Sequence, residues 1–366
     1  MPRVHPAVVG VSSALVLFAA CGHSDAFDRA SERLGPISSG PDIQLTFNSD
    51  QDYWPSWTED GSGILYAFVR PGTNVRHRCV GLLPAKGGTQ SWTLCDDRFG
   101  SADSTNSFPA YALGADGRLL YLESQSRNNS TPTPVLWLAD SAQPFRRTAV
   151  ATFPISFSSG LYNWLGDLKW TGPNSFVGLA QAWNTAPHTF QSFLQDTLLA
   201  NIRGVVISGT IAGGRATLAP VPGTDGATGY SLAEGGASII FTTLADAALH
   251  RVPVAGGTPT TVATIPTSNQ LVGVTCKGGT CIVADAPVAI SADQGGGVLP
   301  GPRDLRTVSI STGATTLLSG TDVFYSSPQW APTSNDIVVQ VGGTVAHLET
   351  TYSIASDLHL LVNLAP

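Results

Sequence analysis

The chain has 366 residues, a formal charge of −7 and only 12% charged residues. Such an acidic, charge-poor chain is a poor nucleic-acid binder, because neutralising phosphates takes clustered Lys and Arg. Its 39 glycines, with abundant Thr, Ser, Ala and Val, suit short strands and tight turns rather than long helices.

At the N-terminus, Arg3 precedes an apolar run from Ala7 to Ala20 that leads into Leu17-Phe18-Ala19-Ala20-Cys21-Gly22. The run is 14 residues long. A spanning helix needs ~20, whereas the apolar region of a cleaved signal is about this length. The segment resembles the signal peptide and lipobox of a bacterial lipoprotein, with Phe18 where that family usually carries Leu. The resemblance implies removal of residues 1–20, acylation of Cys21 and lipid anchoring to the cell envelope. Gly22 after the cysteine then favours the periplasmic face of the outer membrane. Two or more acyl chains on Cys21 anchor stably, where one is marginal. Loss of Arg3 takes the formal charge to −8. The alternative is an ordinary secretory signal cleaved after Ala20, with Cys21 a plain cysteine. No second long apolar run exists.

Residues 21–41 read as a lipidated cysteine followed by a polar, flexible tether. A coil of about 20 residues spans roughly 25 Å. Residues 42–366 read as one folded domain built from a degenerate repeat. Its first copy is Pro55-Ser56-Trp57, an Asp60-Gly61 turn, then the apolar strand Ile64 to Phe68. The second is Pro109-Ala110-Tyr111, Asp116-Gly117 and Leu119 to Leu122. The third runs Leu168-Lys169-Trp170 to Leu179, and the fourth has Gly229-Tyr230, Gly235-Gly236 and Ile239 to Phe241. In the fifth, Val274 precedes Cys276-Lys277-Gly278-Gly279-Thr280-Cys281; the sixth has Pro328-Gln329-Trp330 and Asn335-Asp336. The anchors Trp57, Tyr111, Trp170, Tyr230, Val274 and Trp330 lie 54, 59, 60, 44 and 56 residues apart.

This repeat resembles that of TolB-like, WD40-like β-propellers. The resemblance implies an all-β, six-bladed propeller, each blade four-stranded. Asp42 to Phe47 would pair with Asp357 to Leu364 as an N-terminal closing strand, removing open edges that invite aggregation. The alternative is seven blades, with Leu161 to Gly223 hiding an extra one.

With Cys21 lipidated, four cysteines remain, in two local pairs: Cys79 with Cys95, and Cys276 with Cys281. Each pair flanks a hairpin turn, and an exported protein oxidises such pairs to disulfides. No His or third Cys lies near Cys276 and Cys281 in sequence, which disfavours a redox or metal site there. Catalytic signatures are absent: there is no Gly-x-Ser-x-Gly elbow, His-Glu-x-x-His, P-loop or Rossmann fingerprint. His77, His188, His250, His347 and His359 are scattered singly. No metal and no cofactor is expected. The Asp-Gly pairs are turn formers, and Trp57 and Trp330 are expected to anchor blade cores.

Residues preceding the innermost strands form the candidate partner-binding set: Asp52, Tyr53, Trp54, Phe108, Tyr162, Asn163, Trp164, Phe324 and Tyr325. In a propeller these rim one end of the channel, where aromatic residues bury area at low entropy cost. The expected function is a non-enzymatic envelope lipoprotein that binds a protein or peptide partner. The alternative is a propeller enzyme or small-ligand binder using the channel mouth, marked by three or more convergent carboxylates or imidazoles. A structural subunit of a larger membrane complex is a third possibility.

Overall fold

The computed structural model describes residues 42–46, 52–70, 77–95, 104–127, 133–183, 202–243, 245–267, 270–286, 304–318, 324–342 and 356–363. Cys21 and the tether lie outside the described residues.

After the short strand β1 (Asp42–Gln44), blade one is β2 (Asp52–Trp57), β3 (Gly63–Arg70), β4 (His77–Pro84) and β5 (Trp92–Cys95). Blade two is β6 (Ser104–Leu113), β7 (Arg118–Arg127), β8 (Thr133–Asp140) and β9 (Gln143–Thr152). A hairpin of β10 (Ile155–Phe157) and β11 (Gly160–Tyr162) leads into blade three: β12 (Trp164–Gly172), β13 (Ser175–Trp183), β14 (Ile202–Ala212) and β15 (Arg215–Pro220). Blade four is β16 (Ala227–Ala233), β17 (Ser238–Thr243), β18 (Ala248–Pro253) and β19 (Thr260–Thr264). Blade five is β20 (Gln270–Lys277), β21 (Thr280–Ala286), β22 (Asp304–Ser309) and β23 (Thr315–Leu317). Blade six is β24 (Phe324–Trp330), β25 (Ile337–Gly342) and β26 (Ser356–Leu361), with β1 hydrogen-bonded outside β26, Ile43 opposite Leu360.

The fold is a six-bladed β-propeller. Among the described residues there are six four-stranded sheets and no seventh. The extra length of the third repeat falls in residues 184–201, between β13 and β14, which lie outside the described residues.

The second strand of each blade explains the ring. It has a strand on either side in its own sheet and a neighbouring blade against each face, so both faces must be apolar. Ile64, Tyr66 and Phe68 pack towards blade six, while Leu65 and Ala67, on the opposite face, pack towards blade two. Leu119 and Tyr121 face blade one, and Leu120 and Leu122 face blade three. Ile239 and Phe241 face blade three, and Ile240 faces blade five. The period of two in the strand thus sends alternate residues of one apolar run into two different cores. Six clusters result, one between each pair of neighbouring blades. The cluster of blades six and one joins Val338, Leu358 and Leu360 to Ile64, Tyr66 and Leu83.

The turns follow their chemistry. Gly61 sits at φ 71°, and Asp60 Oδ1 accepts from the Thr58 hydroxyl at 2.6 Å and the Ser62 amide at 3.0 Å. Both disulfides are formed. Cys79–Cys95 joins β4 to β5, and Cys276–Cys281 joins β20 to β21. His359 is a strand residue, buried in β26, with Nδ1 2.8 Å from Asp42 Oδ1 of β1.

Candidate functional site: the central channel

Each blade pairs its innermost strand on one side only. The other edge, with its N–H and C=O groups, turns to the central channel. Every innermost strand carries a one-residue bulge at the same level. In β2, Trp54 and Pro55 stand between the pairs Tyr53–Ala67 and Ser56–Leu65. In β6 the bulge is Phe108-Pro109, in β12 Asp167-Leu168, and in β24 Ser327-Pro328. Blades four and five carry theirs at Thr228 and Val272. In blades one, three and six, the residue three before the anchor adopts a left-handed backbone: Trp54 at φ 56°, Asp167 at 42° and Ser327 at 51°. Non-glycine residues hold this region at a cost of about 1–3 kcal/mol and concentrate at ligand sites.

The anchors bear on that strain. The Tyr111 hydroxyl of blade two donates to the Trp54 carbonyl of blade one. The Tyr230 hydroxyl of blade four donates to the Asp167 carbonyl of blade three at 2.6 Å. Trp57 Nε1 of blade one donates to the Gln329 carbonyl of blade six at 2.9 Å, and Trp170 Nε1 to the Ala112 carbonyl of blade two at 3.2 Å. Thr228 Oγ1 of blade four donates to the Leu271 carbonyl of blade five at 3.1 Å, and the Trp330 amide of blade six to Thr275 Oγ1 of blade five at 2.9 Å. The innermost strands are therefore tied into a continuous hydrogen-bonded ring around the channel.

The channel encloses a cavity of about 190 Å³. Its lining is aromatic and neutral-polar: Trp54, Tyr111, Trp164 and Tyr230, with Ser56, Gln181, Thr228, Ser327 and Gln329. Gln181 and Leu179 reach the lining from the second strand of blade three. Asp167 is the one carboxylate in the lining among the described residues. Its Oδ2 lies 3.3 Å from Lys169 Nζ. That ammonium sits 4.8 Å over the Tyr230 ring and 3.4 Å from the Tyr230 carbonyl. Burial pushes the Asp167 carboxyl above the usual range, against the opposing pull of Lys169. Burial, with Asp167 nearby, likewise pushes the Tyr230 phenol well above its usual value. Among the described residues, no group of three His, Cys, Asp or Glu converges to hold a metal ion.

The residues singled out from the sequence fall into three groups. Trp54, 37% exposed, and Trp164 line the channel. Tyr53 packs edge-on to Trp54 with ring centroids 4.7 Å apart and backs onto the core between blades one and two, while the half-buried Asn163 donates its amide to the Gln181 carbonyl at 3.1 Å. Asp52 and Tyr162 are fully buried, Tyr162 inside the core between blades two and three, so neither forms part of an open rim. Phe108, Phe324 and Tyr325 lie on β6 and β24, and their side chains are outside the described residues. The sequence reading passed over Asp167, Gln181 and Gln329. Asp167 stands three residues before Trp170 as Trp54 stands before Trp57, so counting back from the anchors would have found it.

No protein-family model and no curated protein matches the chain. Solved structures do. XC5397 from Xanthomonas campestris, described as a gluconolactonase, aligns with a TM-score of 0.51 at 11% identity, over 89% of this chain and 90% of that one. TolB from Acinetobacter baumannii aligns with a TM-score of 0.47 at 15% identity, over 92% of this chain and 67% of that one. A prolyl endopeptidase aligns with a TM-score of 0.47 at 15% identity; 88% of this chain is covered, and it spans 42% of the enzyme's length. At such identities the likeness is one of fold.

Proposed function

We propose that the protein is a membrane-tethered envelope lipoprotein, anchored through Cys21, whose propeller binds a protein or peptide partner at the mouth of its channel. The carrying observation is Trp54. A large aromatic residue is held half-open on a left-handed bulge, with its carbonyl locked by Tyr111, in a channel that also presents Trp164. Pre-organised aromatic groups of this kind make binding hot spots. The lining favours binding over catalysis: among the described residues it has one carboxylate and no imidazole, where acid–base chemistry calls for groups poised in pairs. The two disulfides suit an oxidising compartment outside the cytoplasm.

The test is site-specific photo-crosslinking in intact cells. A photoreactive phenylalanine replaces Trp54 in one strain and Leu317, an exposed residue of β23, in another. A discrete protein adduct at position 54 and none at 317 is expected. Equal or no adducts at both positions would remove the scaffold reading. Palmitate-analogue labelling of wild type and Cys21→Ser tests the anchor separately: label should vanish in the variant, and label retained there would overturn it.

A further inference from the structure

The charge in the channel is placed unlike the rest of its lining. Asp167 is the one carboxylate there among the described residues, at the level of Trp54 and Ser327, and its backbone is turned to φ 42°. Lys169 engages Oδ2 at 3.3 Å and is itself held over the Tyr230 ring. The Asp167 side chain stays 27% exposed and lines the channel. The amide side chains of Gln181 and Gln329 and the hydroxyls of Ser56 and Ser327 add neutral acceptors around the lining. Trp164 and its strand partner Gln181 stand three residues nearer the start of the innermost strand, roughly 10 Å along it. The protein as a whole is acidic, with a formal charge of −7, which draws cationic ligands.

We infer that the channel receives a primary ammonium group at the Asp167 carboxylate, carried on the free N-terminus of an extended polypeptide. This rests on the partner-binding reading above and names the chemistry it selects. Three extended residues cover the roughly 10 Å from Asp167 to Trp164, so the α-amine would meet the carboxylate while the second and third residues pack against the tryptophans. The three N–H donors find the Asp167 carboxylate, and neutral oxygens complete their shell. Burial of Asp167 leaves the carboxylate under-compensated by Lys169 alone, so a second cationic donor is favourable there. A lysine side chain offers the same ammonium, and only experiment separates the two sources.

The test uses the full chain in detergent with three probes: Ala-Ala-Phe-Ala-Ala amide, its N-acetyl form, and N-acetyl-Lys-Ala-Phe-Ala-Ala amide. Binding is read by calorimetry for wild type and Asp167→Asn. Asparagine tolerates the left-handed backbone, so the variant keeps the site's shape, and an unchanged melting temperature checks this. The free amine should bind at least tenfold more tightly than its acetylated form, and Asp167→Asn should erase the difference. If the acetylated lysyl peptide matches the free amine, the ammonium chemistry stands and the N-terminal source is overturned. Equal binding of all three peptides by both proteins overturns the inference. If none binds while the adduct at position 54 still forms, the inference fails and partner binding stands. If that adduct is missing too, both fail.

Discussion

Tyr230→Phe removes one oxygen atom and tests the link between anchor and bulge. Tyr230 is fully buried, and its hydroxyl donates to the Asp167 carbonyl at 2.6 Å. Phenylalanine keeps the ring packed between blades three and four but leaves that carbonyl without its donor. An acceptor orphaned in a largely buried site costs about 1–3 kcal/mol. From the per-residue entropy of unfolding, a domain of this length loses about 1.5 °C of melting temperature per kcal/mol, so a fall of roughly 2–5 °C is expected. The assay is thermal unfolding of the disulfide-intact protein by circular dichroism, repeated in an Asp167→Gly background. Glycine adopts φ 42° freely, so the hydroxyl has less to hold, and the loss there should be smaller by about 1 kcal/mol. A Tyr230→Phe protein melting within 0.5 °C of wild type would refute the tie. Equal losses in the two backgrounds would refute the role of strain.

Removing Cys79 and Cys95 together should cost about 3 kcal/mol, and Cys276 with Cys281 about 2 kcal/mol, because closing the longer loop restrains the unfolded chain more; loops of 16 and 5 residues are involved, and urea unfolding of the two double alanine variants ranks them. Gly204→Ala should destabilise by about 3 kcal/mol or more. The added methyl falls on the Ala227 carbonyl and within 3.4 Å of Leu179 Cδ1, and a melting temperature equal to wild type would contradict it. The Asp60 carboxyl is held below its usual range, first by the Thr58 hydroxyl and then by the Ser62 amide. A carboxyl lowered in the folded state stabilises above its unfolded value near pH 4 and loses that contribution as pH falls through the folded value. Wild type should therefore exceed Asp60→Ala in stability at pH 6, and the gap should narrow by pH 3; a gap that widens in acid would refute the assignment.

Asp167 was missed for a physical cause. Alternation along β12 assigns Leu165 and Asp167 to one face and Gly166 and Leu168 to the other. The extra residue at Asp167-Leu168 breaks that alternation, and Leu165 and Leu168 both end buried in the core between blades two and three. Asp52 went astray in the opposite sense. Beside Tyr53 and Trp54 it reads as rim, yet it is wholly buried opposite Phe68.

Six blades, the anchors and both cysteine pairs were legible because their signals are local. Turn chemistry acts over four residues, and an apolar run flanked by Asp-Gly or Gly-Gly states its own strand. Asp42 to Gln44 and Ser356 to Leu361 could be matched only as leftovers, since no local signal relates segments more than 300 residues apart; the ladder from Asp42–Leu361 to Gln44–His359 exists only in the assembled ring. The channel likewise belongs to tertiary structure alone. Its lining depends on where the bulges turn their residues, and the bulges of blades one and three are each held by a tyrosine hydroxyl from the next blade. Asp167 becomes a half-buried charge beside Lys169 and Tyr230 only once blade four stands against blade three.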